Sequence, residues 1–183
     1  MIIASNRRKE NIAEYLLYMW QIEDIIRANN LDIEKLQTNI IDRIAGLSDA
    51  QRHDMRDWYE SLIDMMHREA VTEHGHLQIN KNVMFELIDL HRALLKNPKY
   101  GEYSSLFYQT LPYIVDLRAR AGANVEGEIE TCFTALYGML LLRLQSKDVS
   151  SDTTAAIKQI SKFIATLTAY FHKNEQEPLF ARD

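Results

Sequence analysis

His53, Asp57, Glu60, Asp64, His67 and His74 recur at intervals of three, four or seven residues. On a helix that spacing sets them along one stripe. Glu60, Asp64 and His67 are the candidate metal ligands within it, because helical bundles hold metals by projecting carboxylates and imidazoles inward from several helices. A di-metal centre of that kind uses two Glu-x-x-His pairs and two further Glu. The chain offers Asp64-x-x-His67 and Glu73-x-x-His76, the second with Gly75 inside it on a predicted turn. The same stripe is also what the solvated side of an amphipathic helix looks like, opposite Met55, Trp58, Leu62 and Met65. That second reading is the one adopted. No metal or cofactor is expected, and no catalytic or cofactor-binding residue is assigned. His67, His74 and His76 could respond to pH near 6.5, as any exposed histidine does.

Other residues carry single signals. His91 sits among Met84, Leu87, Leu94 and Leu95, at the edge of an apolar helix face, and reads as a partly buried histidine bonded to a neighbouring helix. Cys132 shares a core stripe with Phe133 and Leu136 and reads as a small hydrophobe. Glu23 and Arg27 are four apart, the favourable order for a helical ion pair. Glu14 and Asp24 flank the same, otherwise apolar, segment. Carboxylates there need partners or a pocket, because an unpaired buried charge is very costly. Arg7, Arg8 and Lys9 form a basic run read near a helix N-terminus, suited to phosphate or an acidic partner, or simply to solvation. Tyr100, Tyr103, Phe107, Tyr108 and Tyr113, followed by Arg118 and Arg120, have the composition of a core or of an interface hot spot.

Whole-chain composition narrows the function further. The 183 residues carry 21 basic and 26 acidic side chains, a formal charge of −5, which disfavours a dedicated nucleic-acid binder. A 46% hydrophobic content fits a folded domain rather than a disordered chain. The single cysteine excludes an internal disulfide and any CxxC site, which points to a reducing compartment. The longest apolar run, 136–142, is far short of the roughly 20 residues a membrane span needs, and 1–10 lacks the layout of a secretory signal. A cytoplasmic protein with no membrane partner is expected. Neither GxGxxG, GxxxxGK[ST], GxSxG nor HExxH occurs.

Helices must position all of these residues. There are 21 Leu against five Val, and Pro and Gly together number nine. Leu favours helix and Val favours strand. Apolar residues return at three- and four-residue spacing between breakers at Gly46, Gly75, Pro98 and Gly122 and a polar stretch at 148–152. The predicted helices are 8–28, 32–45, 48–75, 77–96, 101–120, 124–145 and 152–173. Asp32 and Asn124 are predicted caps, and Gly46 and Gly75 predicted stops. Ile33, Leu36, Ile40 and Ile44 form the buried face of the second helix. Pro112 predicts a kink or break in the fifth, and Gly138 a close helix crossing in the sixth. Residues 175–183 read as a polar tail pinned by Leu179 and Phe180. The expected fold is all-α: a single, mostly antiparallel bundle of six or seven helices in one domain spanning 1–183.

The opening Asn6-Arg7-Arg8-Lys9-Glu10-Asn11-Ile12-Ala13-Glu14-Tyr15-Leu16-Leu17-Tyr18-Met19-Trp20 resembles that of an uncharacterised bacterial family, domain of unknown function 4924. The resemblance covers nearly the whole chain and implies an all-helical cytoplasmic domain. It brings no assigned activity, cofactor or catalytic residue, so no functional residue is carried over. The functional expectation is therefore a non-enzymatic interaction or scaffold domain that forms a homodimer, with its ligand unknown. The alternative is a metal- or small-ligand-binding bundle with hydrolase or oxidoreductase activity. A third reading is a regulatory domain that recognises an acidic ligand through Arg7, Arg8 and Lys9.

Overall fold

A computed structural model describes residues 2–121 and 126–180. The fold is all-α, with eight α-helices and no strand among the described residues. The chain divides into two compact units, Met1–Asn82 and Val83–Asp183. No described helix is long and apolar enough to cross a membrane.

In the first unit, α1 (Ile2–Glu10) and α2 (Ile12–Ala28) stand where one helix from residue 8 was expected. Asn11 makes the break. Its backbone is extended, and its side chain accepts the amides of Ala13 and Glu14 at 3.0 and 3.2 Å, capping α2. Arg7, Arg8 and Lys9 therefore occupy the last turn of α1 rather than a helix start. There the negative end of the helix dipole favours them. Arg7 lies over the Tyr18 ring and within 3.5 Å of Glu14, while Arg8 lies over Tyr15. The predicted stripe of α2 is buried throughout: Ile12, Tyr15, Met19, Ile22 and Ile26.

Asp32 caps α3 (Ile33–Asn39) as predicted, but the helix stops well before Gly46. A 3-10 turn follows at Ile41–Arg43. The change of winding breaks the expected apolar row, so Leu36 and Ile41 are buried and Ile44 is exposed. α4 (Asp49–Arg68) starts with a reciprocal Ser48–Gln51 capping box. It ends seven residues before the predicted stop at Gly75, through Ala70 in a left-handed conformation (φ 54°) and a Val71 amide that reaches back to the Met66 carbonyl at 3.0 Å. Its buried face is Tyr59, Leu62, Ile63 and Met66, with Met55, Trp58 and Met65 only half-buried.

α5 (Gln78–Lys96) begins in the first unit and continues into the second. The second unit then adds a 3-10 turn at Pro98–Tyr100, α6 (Gly101–Ala121), α7 (Glu128–Leu144) and α8 (Ser151–Gln176). The last three pack on one another. Their interior holds Tyr103, Phe107, Ile114, Phe133, Ile160, Phe163 and Leu167. α6 runs unbroken through Pro112, where a break was one expectation. The proline ring leaves the Tyr108 carbonyl without its helical donor. Nothing lies within 4 Å of a Cβ built on Gly138, so no close crossing occurs there. Asn124, the predicted cap of the sixth predicted helix, lies outside the described residues. Gly127 precedes α7, and its amide donates to the Glu130 carboxylate at 2.7 Å. α8 extends to Gln176, and the tail is pinned by Leu179, whose amide donates to Asn174 at 2.9 Å, and by Phe180, whose ring packs on Tyr100.

Candidate functional site

The most enclosed charged side chain of the first unit is Glu23, on the buried row of α2 and with no exposed surface. Its carboxylate accepts the Leu77 amide at 2.9 Å and the Asn80 side-chain amide at 2.7 Å through one oxygen. The other oxygen lies 2.6 Å from His76 Nδ1. An ionised carboxylate is acceptor-only, so the imidazole donates from Nδ1 and a neutral ring keeps its lone pair on Nε2. Trp20, one turn before Glu23, stacks on the imidazole with ring centroids 4.2 Å apart and planes 12° apart. The His76 side chain is 36% exposed, and Nε2 has no partner among the described residues. A carboxylate thus fixes the tautomer and orientation of an imidazole whose basic nitrogen faces out. Chemistry at that nitrogen needs this arrangement, whether proton transfer or metal ligation.

The loop that carries His76 is held by Arg27. Its guanidinium donates to the Val71 carbonyl at 3.1 Å and to that of Gly75, and it also pairs with Asp24 at 3.0 Å. The expected Glu23–Arg27 ion pair is therefore not formed. Arg27 reaches its loop and Asp24 instead, and Glu23 turns inward to the start of α5. Gly75 adopts φ 85°, a left-handed turn that glycine accepts readily. Glu14 and Asp24 are the carboxylates that the sequence marks as needing partners, and Asp24 has Arg27. Glu14 is exposed, and Glu23 is the one that is buried. A signal for it was present: Leu16, Trp20 and Glu23 follow one another at four and three residues along the buried side of α2.

Glu60, Asp64 and His67 are all exposed on α4. Glu60 pairs with Arg56 at 3.2 Å, and Arg56 also reaches Glu34 of α3. Among the described residues no group of three His, Cys, Asp or Glu could hold a metal ion. His53 pairs with Asp57 along the same helix. His74 lies exposed in the loop after α4, apart from the His76 contacts.

In the second unit His91 is 4% exposed and bonded through Nδ1 to the Tyr103 hydroxyl at 2.7 Å. The rings of Phe107 and Phe163 pack edge-on against it. Burial pushes the imidazole down to about 4, with Arg92 acting in the same direction and Glu128 against it. Burial likewise raises the Tyr103 phenol far above its ordinary value. Cys132 is wholly buried, and burial pushes its thiol up to about 12, which leaves no nucleophilic thiolate at neutral pH.

Fold and site together define an all-α protein whose best-enclosed carboxylate positions a half-exposed imidazole. The chain belongs to the family described as Domain of unknown function (DUF4924), whose family model matches residues 1–178. The resemblance read in the opening segment is thereby shown. Comparison with curated proteins and with solved structures found no match.

Proposed function

We propose that this protein is a non-enzymatic interaction domain of the cytoplasm that pairs with a second copy of itself through the outer side of α6. The observation that carries this reading is the row Tyr108, Pro112 and Val115, at four- and three-residue spacing, with Tyr108 63% and Val115 54% exposed. Large apolar side chains in such a row mark interaction surfaces more often than isolated ones do. Next to it Asp116 and Arg120 pair at 2.8 Å. A two-fold contact could exchange those charges between copies, because an isologous interface sets each patch against itself. Light scattering at tens of micromolar should give a dimer mass for the native chain and a monomer mass for Tyr108→Glu combined with Val115→Glu, with unchanged circular dichroism. A native chain that is monomeric at that concentration overturns the reading.

A second reading, a small-ligand or hydrolytic role, is favoured by the Glu23–His76–Trp20 arrangement. His76 Nε2 would act as the base toward water or a substrate hydroxyl. A panel of activated carboxylic and phosphate esters tests it. Turnover that is lost in His76→Ala supports the role, and absence of turnover across the panel dismisses it.

A further inference from the structure

A cavity of about 270 Å³ opens beside His91 in the second unit. Ile88, Leu95 and Phe107 supply apolar walls, and His91, Arg92 and the first turn of α7 supply polar ones. The volume equals about nine waters at their share of the liquid, room for one small ring and a substituent.

The polar chemistry of the cavity follows from its hydrogen bonds. Tyr103 is buried, and the one partner shown for its hydroxyl is His91 Nδ1. A buried hydroxyl hydrogen needs an acceptor, so Tyr103 donates and Nδ1 accepts. The neutral imidazole then carries its proton on Nε2. That N–H has no acceptor among the described residues, on a residue that lines the cavity. The charged groups around it already have partners: Arg92 with Asp89 at 3.6 Å, Glu128 with Arg118 at 3.5 Å, and Glu130 with the Gly127 amide at 2.7 Å. An anionic ligand would be set beside the Glu128 and Glu130 carboxylates, and a cationic one would bring donors to a ring nitrogen that itself donates.

We propose that this cavity binds a small uncharged molecule with an apolar body and a carbonyl-type acceptor, the acceptor taking the His91 Nε2 hydrogen and the body lying against Ile88, Leu95 and Phe107. Binding here depends neither on self-association through α6 nor on chemistry at His76, and its test is independent of both.

The test is nuclear magnetic resonance on the full 15N-labelled chain at neutral pH. The His91 ring nitrogens should report the Nε2-protonated tautomer. Titration with acetophenone or benzamide should shift the Nε2 signal in a saturable manner. Ethylbenzene, which lacks the acceptor, and benzoate, which carries a charge, should each bind at least tenfold more weakly. His91→Phe should remove the advantage of acetophenone over ethylbenzene. An Nδ1-protonated ring, an unmoved His91 signal at the solubility limits of both acetophenone and benzamide, or equal binding of ethylbenzene would each overturn the proposal. All three outcomes are read on the native protein, so a variant that fails to fold does not protect it.

Discussion

Glu23 is an unusual residue to bury, and its three donors explain how it is tolerated. Removing the charge while keeping the shape, as in Glu23→Gln, sets an amide where Leu77, Asn80 and His76 all present hydrogens. The glutamine oxygen can still accept from Leu77 and Asn80, but its NH2 then faces His76 Nδ1, so the imidazole must carry its proton on Nε2 and each charge-assisted bond becomes a neutral one. We expect a loss of about 2–3 kcal/mol in urea unfolding, against about 1 kcal/mol for His76→Ala at the half-exposed partner. His91 makes a different prediction. Its folded value near 4 lies below the 6.5 of an unfolded histidine. The unfolded chain therefore takes up a proton that the folded chain refuses between those values. This contribution to stability is complete above pH 6.5 and falls away toward pH 4, by roughly 3 kcal/mol in all. Urea midpoints measured across that range should decline in the native chain and flatten in His91→Phe. His91 was legible because its apolar neighbours on α5 already set it at the core. Glu23 was not, because an acidic residue four before an arginine looks satisfied on its own helix. Only the loop between α4 and α5 reveals that the arginine is engaged elsewhere.

Seven of the eight described helices were readable from apolar spacing, α1 being the exception, and most other errors fall at the ends. Asp32 declared itself as a cap because a loop precedes it. Asn11 did not, because good helix formers flank it on both sides, so the cut between α1 and α2 left no mark in composition. The end of α4 was misplaced for a tertiary reason. Arg27 and the burial of Val71 turn the chain at Ala70, five residues before the glycine that looked like the stop. Ala70 bears the left-handed conformation without the freedom of glycine, so Ala70→Gly should raise stability by about 0.5–1 kcal/mol. The reverse exchange should help in α7. Gly138 has open space at its Cβ position and lies inside a helix, so Gly138→Ala should stabilise by a similar margin. Thermal unfolding of the two variants checks both signs.

At the scale of the whole chain, the class was fixed by simple counts: much Leu, little Val, few breakers, a modest negative charge. The division into Met1–Asn82 and Val83–Asp183 was not legible, because it falls inside α5, where no linker, proline or glycine marks it. That division gives the solitary thiol a use. Both tryptophans, Trp20 and Trp58, belong to the first unit, and Cys132 belongs to the second. Sealed from solvent and protonated, the sulfur can be alkylated only when its surroundings come apart. Nature has thus fitted an optical gauge to one half of the polypeptide and a chemical stopwatch to the other, with no label to be engineered. Because α5 runs through the boundary without interruption, indole emission and iodoacetamide trapping should trace one superimposable denaturation curve, and two separate midpoints would mean that the halves melt on their own.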